Sequence, residues 1–279
     1  MLSRMRLARR IALMSHDTTR HKPPTRLARP NPERPPKEHS ALLGSGEEWS
    51  NERGTCWIAT PSVEDYAVFD DQLADTLTGP PSTGMRLWPD GWRKPHATIL
   101  DIETCGFSAF PVFMIGLLRI DNTGASFQQG IARDYSEEAA LLDWTHRMLS
   151  DTGVVVTFNG KSFDMRYIRE RSAYHRLGTL DEPPHVDLLH IARRLWGDDL
   201  PNCRLQTLES SLCGRLRHND IPGFAIPDVY HHFVRTGDAK DFSLVAKHNV
   251  LDIVTLAELY VAAWHETANR NANDRRERT

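Results

Sequence analysis

Asp101 and Glu103 stand two residues apart in the run Ala97-Thr98-Ile99-Leu100-Asp101-Ile102-Glu103. In an extended strand such residues project from one face, while Leu100 and Ile102 pack into the opposite layer. The pair reads either as a solvated strand end or as half of a metal site, and two unpaired charges beside so apolar a run are expensive. A third carboxylate, Asp164, closes the segment Phe158-Asn159-Gly160-Lys161-Ser162-Phe163-Asp164, in which a strand ends, Asn159-Gly160 turns and a helix begins. Taken alone, Asp164 serves equally well as a partner for the positive end of that helix, and Asn159 as a turn residue. The segment lacks the G-x-x-x-x-G-K spacing of a P-loop, so Lys161 is not an ATP-binding lysine. His248 and Asp252 are four apart and share a helix face, with Asn249 at its edge. On their own they read as a polar face with a local His-to-Asp hydrogen bond. Together, four carboxylates from three elements suit hard divalent cations, Mg²⁺ or Mn²⁺. Two such ions ~3.5–4 Å apart activate water and stabilise both the attacking and leaving oxygens of phosphodiester cleavage. In that scheme Asp101 bridges the ions, Glu103 also orients the water, and Asp164 and Asp252 complete the ion shells.

The elements that must position these groups follow from periodicity. His96 to Ile102, Val112 to Ile120 and Ser126 to Ala132 are β-rich runs with short connections, Asp121-Asn122-Thr123-Gly124 supplying a turn, which favours adjacent antiparallel strands. The period then becomes helical over residues 136 to 149, where Asp134-x-x-Glu137 resembles a capping box. Gly153 to Phe158 is a short strand, followed by a helix from about Phe163. Further helices are expected over Leu188 to Leu195, Leu205 to Cys213, Val229 to Val234 and Asp241 to Ala263. Leu251, Ile253, Val254, Leu256 and Leu259 give the last a buried body, fixing where His248 and Asp252 point. The order predicts an α/β layered fold with a mixed central β-sheet.

Residues 1–40 carry ten Arg or Lys against three Asp or Glu and repeated prolines, a composition expected of a disordered basic arm. Its charge of +7 in a chain of −3 leaves −10 for the remainder. The folded part is therefore no general basic nucleic-acid binder, and its carboxylates repel phosphate unless cations or a local basic rim reverse the field. Residues 41–94 read as an irregular extension, with Cys56-Trp57-Ile58-Ala59 and Tyr66-Ala67-Val68-Phe69 as short anchors; 95–266 is the expected catalytic domain, and 267–279 a polar disordered tail. Cys56, Cys105, Cys203 and Cys213 form no C-x-x-C pair, which argues against a disulfide framework or structural zinc and fits a reducing, cytoplasmic setting. The basic start MLSRMRLARRIALM has its apolar run interrupted by arginines and no clear cleavage site, and no stretch approaches ~20 apolar residues, so no membrane association is expected.

Asp101-Ile102-Glu103-Thr104, Phe158-Asn159-Gly160-Lys161-Ser162-Phe163-Asp164, Pro184-His185-Val186-Asp187-Leu188-Leu189-His190 and His248-Asn249-Val250-Leu251-Asp252, in that order, closely resemble the DEDD exonuclease superfamily of ribonuclease H-like fold, in its bacterial YprB-like branch. The resemblance covers roughly residues 95 to 263. It implies a three-layer ribonuclease H-like domain that removes nucleotides 3′ to 5′ with two divalent ions. Asp101 and Glu103 match the first motif, Asp164 the second and Asp252 the last, all as metal ligands. His248 matches the position that orients or deprotonates the attacking water, although its H-x-x-x-D spacing is that of the tyrosine version of the motif; the histidine version usually has one more intervening residue. A histidine with an ordinary pKa of about 6.5 can accept that proton at neutral pH. Asn159 is placed to contact the terminal sugar or phosphate, Lys161 to contact phosphate or to be an ordinary surface lysine. Asp187 reads as a supporting residue that orients a neighbour of the metal ligands or caps the following helix.

Arg193, Arg194 and Arg204 form a basic rim or surface ion pairs, Trp196 a core anchor, and Ile221-Pro222-Gly223 with Ile226-Pro227 a stiff loop bordering the strand channel. His231 and His232 point apart on a helix and make a poor zinc site. The expected substrate is single-stranded DNA or a DNA end. RNA is the alternative substrate, and a noncatalytic nucleic-acid-binding or scaffolding protein the alternative class.

Overall fold

The structure, a computed structural model, describes residues 45–61, 96–106, 109–121, 124–218 and 220–276. The expected basic arm and the segment around Tyr66–Phe69 lie outside these residues. The described strands are β1 (Gly46–Asn51), β2 (Gly54–Ala59), β3 (Ala97–Thr104), β4 (Val112–Asp121), β5 (Gly124–Ile131), β6 (Val154–Thr157) and β7 (His185–Asp187). The helices are α1 (Glu138–Ser150), α2 (Asp164–Tyr174), α3 (Leu188–Trp196), α4 (Leu205–Leu212), α5 (Ile226–Thr236) and α6 (Phe242–Arg276).

The strands form one sheet in the order β1-β2-β5-β4-β3-β6-β7. β3, β4 and β5 make the expected antiparallel meander, while β6 lies parallel to β3 and β7 parallel to β6, so the sheet is mixed. Alternation along β3 divides its side chains between two apolar layers. Leu100 and Ile102 join one with residues of α1, α2 and α5, and Ala97 and Ile99 join the other with residues of α3, α4 and α6. Each fully buried aliphatic side chain removes enough apolar surface to favour folding by roughly 1.5–3 kcal/mol. Helices thus cover both faces of the sheet in a three-layer α/β arrangement.

Two segments depart from the sequence expectation. Residues 46–59, assigned to an irregular extension, form a hairpin that lengthens the sheet through pairs such as Trp57 to Ile131. Cys56, Trp57, Ile58 and Ala59 are the buried anchor. The hairpin turns through Glu52-Arg53, with the Asn51 side chain accepting the Arg53 amide at 2.8 Å and Gly54 at φ 124°. Its tip is tied to the end of α2, where the Arg53 guanidinium donates to the carbonyls of His175 and Arg176 at 3.2 and 3.3 Å. The second departure is the expected disordered tail, which continues α6 to Arg276. Thr267 is buried with its hydroxyl on the Ala263 carbonyl at 2.7 Å, and Arg270 donates to the carbonyl of Leu195, near the end of α3, at 2.7 Å. A polar composition is compatible with a helix whose residues find such partners.

The capping box is displaced by one residue. Asp134 accepts from the Ser136 amide at 2.8 Å, but Glu137 reaches back to the Arg133 amide at 2.7 Å and pairs with the Arg133 guanidinium. The loop after β3 is fixed by a buried cluster. Glu138 accepts the Val112 amide at 2.8 Å and binds Arg171 and His175, while Arg171 donates to the Ala109 carbonyl at 3.0 Å.

Candidate active site

The pairing of β3 with β6 ends at Ile99 and Val156, so Asp101 and Glu103 lie beyond the paired part of β6, at the carboxyl end of β3. That is where open α/β sheets bind ligands. Asp101 faces α6, and the Asn249 amide donates to its carboxylate at 2.8 Å and to its backbone carbonyl at 3.3 Å. Asn249 is itself held by Gln129, whose amide donates to Asn249 Oδ1 at 2.8 Å and to the Ala246 carbonyl at 2.9 Å. This buried relay crosses β4 over Gly116, the cross-strand partner of both Asp101 and Gln129. A Cβ at Gly116 would sit 2.1 Å from Asn249 Oδ1 and 2.5 Å from Ile253 Cδ1. Gly116→Ala is therefore expected to push α6 off the sheet, costing about 1–3 kcal/mol as overpacking does. Urea denaturation checks this, and an unchanged midpoint would show that Asn249 need not lie so close.

Asp164 begins α2 and is buried. The loop leading to it has Asn159 in the left-handed region at φ 64°, a conformation asparagine tolerates. The Asn159 carbonyl accepts the amides of Ser162 and Phe163 at 3.1 and 3.0 Å. Asp187 braces this loop from β7, accepting the Asn159 amide at 2.8 Å and the Lys161 amide at 3.1 Å. It also caps α3 through the Leu189 amide at 3.1 Å. One carboxylate thus both braces the loop before Asp164 and caps α3. The side chains of Asn159 and Lys161 are exposed.

His248 and Asp252 share a face of α6, with His248 Nε2 3.6 Å from Asp252 Oδ2. The other imidazole nitrogen, Nδ1, lies 2.8 Å from Asp220 Oδ1. Asp252 Oδ1 is 2.6 Å from the guanidinium of Arg217, which also binds Glu209 at 2.6 Å and Asp220 at 3.2 Å. Asp220, Arg217 and Glu209 were not singled out from the sequence. They belong to a loop and a short helix without an informative repeat, and the cue available was the density of charge in Arg215-Leu216-Arg217 shortly before Asp220.

Asp101, Glu103, Asp164 and Asp252 come from three elements and lie close enough to perturb one another. Burial raises the Asp101 pKa well above the ordinary range, with Asp252, Glu103 and Asp164 adding to it and the Asn249 hydrogen bond opposing it. Glu103 is raised by burial and by Asp252, Asp164 and Asp220. Asp164 is pushed up to about 7 by burial, against hydrogen bonds from the backbone of Asp164 and Ile102 and with further upward pressure from Asp187 and Asp252. Asp252 is raised by burial, with His248 and Arg217 pulling it down. Such a cluster of oxygen donors is short of positive charge, and its chemistry fits a hard divalent cation. Among the described residues, no three His, Cys, Asp or Glu side chains stand gathered around one point as a ready-made cage.

The remaining sequence candidates divide. The Ile221-Pro222-Gly223 loop follows directly on Asp220 and carries Phe224 with 85% of its surface exposed. Arg193, Arg194 and Arg204 are exposed, and Trp196 packs against the α3–α6 layer. His231 meets the Tyr135 hydroxyl at 2.6 Å whereas His232 meets Arg235, so the adjacent imidazoles serve separate contacts. Among the described residues no helix is long and apolar enough to cross a membrane.

A family model described as RNase_H superfamily matches residues 98–264, a span that includes all four carboxylates and His248. The chain is 32% identical over 203 residues to the uncharacterized protein YprB of Bacillus subtilis (strain 168), a match covering 70% of this chain and 48% of that protein. The chain thus spans about half the length of that curated relative. Among solved structures, the family B DNA polymerase of the archaeon Pyrobaculum calidifontis is similar at a TM-score of 0.47 and 15% identity, covering 59% of this chain and 24% of the polymerase. Exonuclease I of E. coli in complex with a dT13 oligonucleotide is similar at 0.36 and 16%, covering 55% of this chain and 41% of that one. With the matched span enclosing β3 through most of α6, the chain belongs to the ribonuclease H superfamily, as a relative of YprB.

Proposed function

We propose that this protein is a divalent-metal-dependent 3′-to-5′ exonuclease acting on single-stranded DNA or DNA ends. The observation that carries the proposal is that Asp101, Glu103, Asp164 and Asp252, on three elements, lie close enough for Asp252 to raise the other three carboxylates and for Asp164 to raise Asp101 and Glu103. These four side chains would hold Mg²⁺ or Mn²⁺, which when bound would supply Lewis acidity toward the phosphate and ease loss of a proton from the attacking water. Gln129 and Asn249 fix the direction of the Asp101 carboxylate. Asp220 holds His248 by Nδ1, which leaves Nε2 to take the proton of the attacking water. The water oxygen joins phosphorus as the bond to the 3′ oxygen of the preceding nucleotide breaks, releasing a 5′-mononucleotide and a new 3′ hydroxyl. The Asn159–Lys161 loop, braced by Asp187, grips the sugar-phosphate of the terminal nucleotide, a contact that is largely blind to base identity.

A second reading, a noncatalytic nucleic-acid-binding protein on the same fold, is favoured by one observation: Arg217 already neutralises Asp252. Matched DNA and RNA strands labelled at either end, incubated with Mg²⁺, Mn²⁺ or chelator, separate the two. Progressive shortening of DNA from the 3′ end, stopped by chelator, is expected. Intact strands in every metal, together with retained binding, would establish the noncatalytic reading, and shortening of RNA alone would reassign the substrate.

A further inference from the structure

The loop joining α4 to α5 sends two arginines inward past an exposed leucine. Arg215 binds Glu209, Thr255 and Glu258, and Arg217 binds Glu209, Asp220 and Asp252, while Leu216 between them is 70% exposed. Glu209 is almost wholly buried and also accepts the Thr255 hydroxyl at 2.8 Å, so the guanidinium of Arg217 is held on a fixed support. The Arg217 side chain is only 6% exposed. A planar guanidinium with several directed donors can serve three carboxylates at once, which an ammonium cannot do with the same geometry. Because Asp220 also holds His248, the loop is tied to α6 at two successive turns, through Asp220 to His248 and Arg217 to Asp252.

We infer that Arg217 is an internal counter-ion that competes with a divalent cation for Asp252, so that ion binding there is coupled to release of the loop over residues 213–220. The inference rests on the metal-site reading above. A cation approaching Asp252 meets a carboxylate oxygen already engaged at 2.6 Å and a full positive charge beside it. Both effects weaken ion binding, and by linkage the bound ion weakens the Arg217 contact by the same factor. Arg217 stabilises the otherwise repulsive acidic cluster when ions are scarce and, once displaced from Asp252, keeps its contacts to Glu209 and Asp220 while freeing the donor that Asp252 occupied, which is suited to a substrate phosphate.

Calorimetric titration of the full chain with Mn²⁺ tests this without reference to turnover. Arg217→Gln is expected to bind Mn²⁺ about tenfold or more tightly than the unsubstituted protein, and Arg217→Lys to fall between them. Affinity that is equal or weaker in Arg217→Gln overturns the inference. A second measurement needs no variant: hydrogen exchange of the unsubstituted protein is expected to speed up across residues 213–220 when Mn²⁺ is added. Unchanged or slower exchange there also overturns the inference. If Mn²⁺ binds equally to both proteins, the metal site stands and only the competition is wrong. If it binds to neither, both the metal site and the inference fall.

Discussion

Asp101→Asn is expected to slow metal-dependent strand shortening by on the order of 10³-fold while making the metal-free protein more stable. The loss follows from the chemistry proposed for the site. Metal ions contribute several kcal/mol of charge stabilisation in such reactions, and each ~1.4 kcal/mol is tenfold in rate. Replacing one of the four carboxylates proposed to hold the ions by a neutral amide removes a large part of that contribution. The gain in stability follows from the same geometry. Asp101 is partly buried, and loss of solvation together with Asp252, Glu103 and Asp164 presses its pKa upward. Ionisation of Asp101 in the metal-free protein therefore opposes folding, and the amide retains an oxygen that can accept the Asn249 hydrogen bond. A single-turnover assay with excess enzyme and a thermal melt in chelator measure the two effects. An inactive variant that melts lower than the unsubstituted protein would mean that Asp101 serves mainly as a structural partner of Asn249.

The division between what the sequence made legible and what it concealed follows the range of the interactions. Asp101 and Glu103 could be placed on one face because strand alternation is local, and the meander of β3 to β5 because its connections are short. His248 and Asp252 could be placed together because a helix brings residues four apart onto one side, and Asp187 because it caps the helix it precedes. The family resemblance then joined these local pieces into one site. Arg217 was invisible by comparison, since its value lies in contacts with Glu209, Asp220 and Asp252, and an arginine in a loop has no periodicity to betray a buried guanidinium. Gly116 and Gln129 were hidden for a related reason: each matters only because α6 crosses β4 at that point. The hairpin of residues 46–59 was concealed because Glu47, Glu48 and Ser50 give β1 a polar strand, and the strand is stabilised by non-local pairing with β2 and, through it, β5.

The stabilisation conferred by Mn²⁺ is expected to grow with pH, from little at pH 5 to about 5–10 °C in melting temperature at pH 8. The sign follows from the raised carboxylates. Asp164 has its pKa raised from an ordinary 3.8 to about 7, so in the metal-free state the folded protein holds a proton that the unfolded chain has already released. Its contribution to stability is fully present below the unfolded pKa and is lost as pH rises through about 7. At ~1.4 kcal/mol per pH unit this is on the order of 4 kcal/mol, and Asp101 and Glu103 shift in the same direction. A half-buried histidine acts oppositely: His185, held down to about 4 by loss of solvation, adds stability as pH rises from 4 toward 6.5. That contribution is common to protein with and without ions, so the increment due to Mn²⁺ isolates the carboxylates. Ion binding requires them deprotonated; at pH 5 the cation must displace protons, whereas at pH 8 it meets ready charge. An ion at a hundred times its dissociation constant stabilises by about 2.7 kcal/mol, and each kcal/mol is worth about 2–4 °C in a domain of this size. Differential scanning fluorimetry across pH 5–8, with Mn²⁺ and with chelator, measures the increment. Asp164→Asn should flatten its pH dependence, and an increment that is the same at every pH would place the bound ion away from these carboxylates.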